Sequence, residues 1–173
     1  IDFSDDVILA MSELNCVCPS IHLPVQSGSD EQLRLMRRGY SLDDFRRLVD
    51  KLRNAIPDIA ISTDIITGFC GEAEKDFQDT CNLMEEIRFD FAFMFKYSER
   101  EGTYAFKKME DDIPEDIKSQ RLQHIIKLQE RISLEKNQTC IGKSYPVLIE
   151  GKSKRKGKDG KDRYYGKTPH NKT

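Results

Sequence analysis

Residues 59–72 read IAISTDIITGFCGE, an apolar run that ends in a turn marked by two glycines. An apolar run of this length, with Pro57 before it and Gly68 after it, is typical of a buried strand. The next segment has an apolar face at helical spacing, formed by Phe77, Cys81, Met84 and Ile87. This stretch therefore predicts a strand, a tight turn and a helix.

Upstream of this unit, the sequence predicts a second strand with helices after it. Residues 21–26 form the predicted strand, and Ser29 begins a Ser-x-x-Gln box with Gln32 that can cap a helix. A further helix is predicted from Ser41 to Pro57, where the proline stops it. Residues 5–14 suit a short amphipathic helix.

Downstream, residues 90–97 form a third predicted strand that carries Phe91, Phe93 and Phe95 on one face. A long charged helix is predicted at 114–138. Apolar strands that alternate with helices indicate an α/β fold with parallel strands, in which both faces of the sheet are covered.

The net charge of -2 hides a strong asymmetry along the chain. Residues 1–138 hold 18 Lys+Arg and 27 Asp+Glu, a net of -9, whereas residues 139–173 hold 10 and 3, a net of +7. Two modules are therefore predicted, an acidic body at 1–138 and a basic tail at 139–173 that meets a polyanion. In the tail, strands at 145–150 and 163–168 around an Asp159-Gly160 turn suggest a small β-barrel.

Composition argues against several classes of protein. No apolar stretch approaches the ~20 residues that a membrane-spanning helix needs, and no signal peptide is recognisable, so the predicted compartment is the cytosol. The five cysteines have no paired spacing, which fits a reducing compartment, and the Cys16-x-Cys18 pair is too close for a zinc or redox site. The three histidines suggest no metal site. The first residue, Ile1, indicates a piece of a longer protein.

Three polar turns follow the three predicted strands, and ligands of parallel sheets bind at that edge. The candidate residues are Gln26, Ser27, Asp64, Ser98 and Arg100. Asp64 stands out because a buried carboxylate without a partner is costly. Each feature also has an ordinary interpretation, as a capped turn or as a pairing within the fold.

Arg38 follows the first of these turns at the end of a short helix. It could bind a carboxylate, although an arginine at a helix C-terminus often only complements the helix dipole.

An ordered series of motifs resembles the methylthiotransferase branch of the radical S-adenosylmethionine (SAM) superfamily. The series is HLPVQSGSD with LMRRGYS, then ISTDIITGFCGE followed by DF, then YSEREGT, then a basic C-terminal segment. The resemblance implies the C-terminal half of a partial (β/α)6 barrel, with 21–26, 59–66 and 90–97 as its last three strands. Residues from 139 on resemble the beginning of a TRAM module, a small RNA-binding barrel.

The same resemblance implies an enzyme that inserts a methylthio group at carbon 2 of a modified adenosine next to the anticodon of tRNA. Its cofactors would be SAM and two 4Fe-4S clusters. Gln26, Ser27 and Asp64 would contact SAM at the ribose or nearby polar groups, Arg38 at the carboxylate and Ile66 at the adenine. Residues implied for tRNA binding are Ser98, Arg100, Lys154, Arg155 and Lys156.

The sequence also departs from the family. It has no C-x-x-x-C-x-x-C motif, so no catalytic residue or metal ligand is assigned, and the chain alone is predicted to be inactive. It would depend on the N-terminal half of its own chain and on a reductant protein. Cys70 and Tyr104 replace prolines usual in the family. Alternatives are a sister enzyme acting on threonylcarbamoyladenosine, a methylthiotransferase for a ribosomal protein, and a non-catalytic RNA-binding module.

Overall fold

The computed structural model describes residues 3–157 and 159–172, so Ile1, Asp2, Lys158 and Thr173 lie outside the described residues. In chain order the elements are α1 (Asp5–Glu13), β1 (Ser20–His22), α2 (Asp30–Leu35), α3 (Leu42–Ala55), β2 (Ala60–Thr67), α4 (Glu74–Ile87), β3 (Phe91–Lys96), α5 (Tyr104–Lys108), α6 (Glu115–Gln138), β4 (Leu148–Lys152) and β5 (Tyr164–Lys167).

The first three strands form one parallel sheet in the order β1-β2-β3. The predicted alternation of strands and helices is therefore confirmed. The helix α5 was not predicted because its five residues are too few to show a helical period.

Strand β1 is shorter than the predicted strand 21–26, because Pro24 has no N–H to continue the ladder. Thr63 on β2 repairs the gap with its hydroxyl, which accepts from the Val25 N–H at 3.0 Å and donates to the Leu23 carbonyl at 2.7 Å. Pairing resumes at Gln26, whose N–H donates to the Asp64 carbonyl at 2.8 Å. The break leaves the residues after Pro24 free to turn away from the sheet.

Helices cover only one face of this sheet. Along β2, Ile61, Thr63 and Ile65 are buried beneath the helices, and the two isoleucines pack with α3, α4 and α6 into one core. On the other face, Phe91, Phe93 and Phe95 are each about half exposed. The expectation that both faces are covered was wrong for the described residues, because all the crossover helices lie on one side. A one-sided sheet is what half of a barrel would present.

Helix α6 runs beside β3 in the opposite direction and spans both ends of the sheet. Lys96 at the end of β3 pairs with Glu115 at the start of α6. At the far end, Lys136 donates to the carboxylate of Asp90 at 2.6 Å. The 24-residue helix is about 36 Å long, so it connects the two ends of the sheet.

The basic tail forms a hairpin in which β4 and β5 are antiparallel, with an irregularity between Ile149 and Gly151. The two predicted strands are therefore present, shifted by a few residues. Leu148, Ile149 and Tyr164 are mostly exposed, so the hairpin has little core of its own in the described ranges. A TRAM barrel remains a prediction, as does the division of the chain at residue 138.

The cysteines differ in their exposure to solvent. Cys70 and Cys81 are buried, whereas Cys16 and Cys18 are exposed. No helix within 3–157 and 159–172 is long and apolar enough to cross a membrane.

Candidate functional site

The turn after β1 contains one polar side chain that the fold leaves free. Gln26 has a φ of 71°, a left-handed conformation that is uncommon for a residue other than glycine. The residue is only 7% exposed, yet its side-chain amide makes no hydrogen bond to any other residue in the described ranges. Strain at a nearly buried polar residue is often found where a ligand binds.

The next three residues of this turn are used inside the fold. Ser27 is fully buried, and its hydroxyl accepts from the Ser29 N–H at 3.2 Å and lies 3.4 Å from the Thr80 hydroxyl. A Cβ on Gly28 would meet the Thr80 Cα at 2.4 Å, so only glycine fits there. Ser29 caps α2 and donates to Asp76 at 2.6 Å. The Ser27 hydroxyl therefore has a structural role within the turn, and its predicted contact with a cofactor remains a prediction.

Asp64 lies on the open face of the sheet, not in the buried layer. Its side chain is 29% exposed, and Oδ1 lies 3.3 Å from Nε2 of His22. Asp64 is therefore neither buried nor isolated, and the desolvation argument that drew attention to it does not apply. Ile66, two residues on, is half-buried on the same face, and its N–H donates to the Gln26 carbonyl at 2.9 Å. The structure thus brings Gln26, Asp64 and Ile66 together at the carboxyl end of β2.

Arg38 lies next to the same turn. Its N–H donates to the Leu33 carbonyl at 2.8 Å, which closes the C-terminus of α2. Burial raises the pKa of Tyr40, and the nearby Arg38 guanidinium opposes that shift. The Tyr40 hydroxyl donates to the carbonyls of Pro24 and Val25, each at 3.1 Å. Arg38 is exposed and forms no ion pair with another described residue, so its charge is available.

The glycine turn after β2 is fixed by α6. Gly68 has a φ of 70°, and the side chain of Lys118 packs directly over it. Its N–H donates to Oε2 of Glu72 at 2.7 Å, and Arg121 donates to the same oxygen at 2.7 Å. Burial raises the pKa of Glu72, and the Gly68 N–H and Arg121 oppose that effect. The motif at 68–72 therefore serves mainly to hold the turn.

The turn after β3 is the most exposed of the three. Ser98 and Arg100 are both exposed, and Arg100 offers its carbonyl to the Thr103 hydroxyl at 2.8 Å. Thr103 caps α5. The Arg37 guanidinium lies 3.4 Å from the centre of the Tyr104 ring, a cation–π contact that ties this loop to α2. The contact between Arg37 and Tyr104 was not predicted, because the two residues are far apart in the sequence and no periodic pattern relates them.

The predicted tRNA-binding residues of the tail lie elsewhere. Lys154, Arg155 and Lys156 are exposed near the tip of the hairpin. The base of the hairpin is tied to the end of α6, where Lys172 donates to Asn137 at 2.7 Å. Lys154, Arg155 and Lys156 therefore lie apart from Gln26, Asp64 and Arg38. These last three residues lie at the rim, which is the edge of the sheet formed by the turns after β1, β2 and β3.

The described ranges contain no group of His, Cys, Asp and Glu that could hold a metal ion. Two surface clefts lie on the helical side of the sheet, one lined by residues of α2 to α4 and the other between α4 and α6. The rim itself is an open surface with a carboxylate, an amide, a guanidinium and an aliphatic side chain. Such a set can bind a ligand that carries hydroxyls, a carboxylate and a flat apolar group.

Comparison with known proteins agrees with this geometry. The profile of the radical SAM superfamily matches residues 1–84. A tRNA-2-methylthio-N(6)-dimethylallyladenosine synthase of Porphyromonas gingivalis is 50% identical over 171 residues, which is 99% of this chain and 36% of the relative. This chain is therefore similar to the radical SAM superfamily over residues 1–84, and to the named synthase over nearly its whole length.

Other relatives of this chain carry the same name. Synthases of Bacteroides thetaiotaomicron and Caldicellulosiruptor saccharolyticus are 49% and 51% identical, over 98% and 89% of the chain. The chain spans 36% of the length of the Porphyromonas and Bacteroides relatives and 32% of the Caldicellulosiruptor relative. Coproporphyrinogen III oxidase of Escherichia coli, a radical SAM enzyme, shares the fold with a TM-score of 0.56 and 22% identity, over 79% of this chain and 30% of its own. The predicted resemblance to methylthiotransferases is confirmed, whereas the roles of single residues remain predictions.

Proposed function

We propose that this chain is the C-terminal half of the SAM-binding barrel of a tRNA methylthiotransferase, together with the first strands of its RNA-binding module. The observation that carries the proposal is the 50% identity to a named synthase over nearly the whole chain. The substrate would be a modified adenosine next to the anticodon.

The residues at the rim fit SAM. Asp64 offers carboxylate oxygens to the ribose hydroxyls, and Gln26 can both donate and accept next to it. Arg38 provides a planar guanidinium for the carboxylate of the methionine part. Ile66 gives an apolar surface for the adenine. The strained backbone at Gln26 supports this assignment, because it aims a nearly buried amide at the rim where a ligand would satisfy it.

These residues would bind and orient the cofactor, and SAM with the iron–sulfur clusters would supply the methyl group and the radical chemistry. Cys16, Cys18, Cys70, Cys81 and Cys140 do not provide a cluster motif. The cluster ligands would therefore come from the N-terminal half of the enzyme, and that half would also cover the open aromatic face. A reductant protein would deliver electrons in the cytoplasm.

The hairpin would contact the tRNA backbone. Lys154, Arg155 and Lys156 are exposed in a segment with a net charge of +7, and lysine and arginine make most contacts to phosphates. Ser98 and Arg100 are exposed at the rim, where an adenosine turned out of the anticodon loop could reach them.

Three alternatives remain. An enzyme acting on threonylcarbamoyladenosine and one acting on a ribosomal protein would use the same barrel, but the names of the relatives favour dimethylallyladenosine. A purely RNA-binding module would have no use for the free side chains at the rim.

The site is tested by SAM binding to the full-length enzyme, measured by titration calorimetry. Asp64→Ala and Arg38→Ala should each weaken binding about tenfold, because a hydrogen bond to a charged group contributes ~1.5 kcal/mol or more. Asp50→Ala on α3 and Lys127→Ala on α6 are matched controls, since both side chains are exposed on the helical side. Unchanged affinity in both rim variants would contradict the assignment.

A further inference from the structure

His22 has a contact at each of its two ring nitrogens on the open face of the sheet. Nδ1 lies 3.0 Å from the Ser62 hydroxyl, and Nε2 lies 3.3 Å from Oδ1 of Asp64. The imidazole also stands edge-on to Phe93, with ring centres 5.9 Å apart and planes at 78°. The ring is therefore held from three directions, although the side chain is 42% exposed.

The positions of these contacts decide where a proton must lie. An ionised carboxylate can only accept, so the contact with Asp64 is favourable when Nε2 carries a proton and repulsive when it does not. The Ser62 hydroxyl can donate to Nδ1, or it can turn to the Ile21 carbonyl, 3.3 Å away, and accept from Nδ1. In the first arrangement Nε2 carries the single proton of a neutral imidazole, and in the second Nε2 is protonated only when the imidazole is charged. The contact with Asp64 is thus compatible with neutral and with charged imidazole.

The other oxygen of Asp64 is free for a ligand. Within the described ranges, no residue besides His22 forms a hydrogen bond or ion pair with the Asp64 carboxylate. A partly exposed aspartate on a strand can adopt several rotamers, and fixing one of them before binding lowers the entropic cost of binding. With one oxygen held by His22, the second oxygen remains available to a ligand.

We infer that His22 and Ser62 are positioning residues, which hold the Asp64 carboxylate in the orientation that accepts from the ribose hydroxyls of SAM. This inference rests on the proposed function, since it adds a supporting pair to the proposed SAM site. It requires that His22 acts through Asp64 and makes no contact with the cofactor itself.

A double-mutant cycle in the full-length enzyme tests this dependence. His22→Leu should weaken SAM binding about three- to tenfold, as loss of one hydrogen bond to a charged group predicts. His22→Gln, which can still donate to Asp64, should recover part of the affinity, and Ser62→Ala should cause a smaller loss. In the Asp64→Ala background, His22→Leu should have no further effect.

Three outcomes would overturn the inference. Additive losses for His22→Leu and Asp64→Ala would mean that His22 contacts SAM directly. An unchanged affinity in His22→Leu, with a clear loss in Asp64→Ala, would remove the positioning role alone. Unchanged affinity in Asp64→Ala would remove the proposed SAM site, and the inference with it.

A second measurement does not depend on the variants. Nitrogen-15 NMR of the histidine rings should show a proton on Nε2 of His22 across the neutral pH range, whatever the state of Nδ1. A bare Nε2 would overturn the inference.

Discussion

At the scale of residues, the turn after β1 contains side chains that stabilise the fold and one side chain that is free to bind a ligand. In the turn after β1, Ser27, Gly28 and Ser29 all pack or bond against α4, and only the side chain of Gln26 is left free. The general expectation that polar turn residues serve the backbone therefore holds for three of these four. A search for binding residues in such a motif should begin with the side chains that have no partner.

Gly28 provides the sharpest test of this division. Gly28→Ala should lower the free energy of unfolding by ~1–3 kcal/mol, because a Cβ would overlap the backbone of Asp79 and Thr80 at 2.4 to 2.7 Å. Gly39→Ala is the matched control, since nothing lies within 4 Å of its added Cβ. Chemical denaturation of both variants makes the comparison. Equal stabilities would show that Gly28 does not need its close approach to α4.

At the scale of elements, periodicity predicted the long helices and the strands β2 and β3 well. The helix predicted from Ser41 to Pro57 is α3, and its Phe45, Leu48, Val49 and Leu52 are buried. The sequence could not show which side of the sheet the helices take, because an alternating strand does not reveal what covers its second face. Strand β1 was predicted too long, since the repair of its ladder by Thr63 is a contact between distant residues.

The turn between β2 and α4 depends on a buried ion pair that α6 supplies. Arg121→Met should lower stability by ~3–5 kcal/mol near neutral pH, because it leaves the buried Glu72 carboxylate without its cation. Glu72→Gln in the same chain should restore part of the loss. Arg131→Met on the same helix is the control, because its ion pairs are exposed and screened by solvent, so their loss should change stability little.

The pH dependence of this variant follows from the direction of the Glu72 shift. Burial raises the pKa of Glu72 above its ordinary value. The stability that Glu72 contributes is therefore fully present below the ordinary pKa and lost as the pH rises through the raised one. Without Arg121 the pKa of Glu72 should be raised further. The difference in stability between the variant and the parent should therefore widen from pH 4.5 to pH 7. Thermal melting across this pH range measures the difference. A constant difference in melting temperature between Arg121→Met and the parent would contradict this role of Glu72.

At the scale of the whole molecule, the proposed SAM site and the basic hairpin lie at opposite ends of α6. Lys118 packs over Gly68 at the rim, whereas Lys136 meets Asp90 at the other end of the sheet. These two lysines are about 18 residues apart, or roughly 27 Å along the helix. The hairpin begins beyond the far end, so its phosphate contacts would lie on a part of the tRNA away from the reacting base.

The hairpin is tested by the salt dependence of tRNA binding. If it neutralises ~3 to 5 phosphates, the logarithm of affinity should fall with the logarithm of salt by ~0.7 to 0.9 for each contact. Replacing Lys154, Arg155 and Lys156 with alanine in the full-length enzyme should flatten that slope and raise the Michaelis constant for tRNA, with SAM binding unchanged. Lys75→Ala with Lys127→Ala is the control on the helical side. An unchanged slope would move the RNA contact to another surface.

The proposed function and its site are tested most directly by the nucleosides of cellular tRNA. In a strain that lacks the full-length gene, mass spectrometry should find no 2-methylthio group on dimethylallyladenosine. The parent gene and the Asp50→Ala variant should restore the group fully, and Asp64→Ala should restore only part of it. Persistence of the group in the deletion strain, or full restoration by Asp64→Ala, would contradict the proposed function and its site.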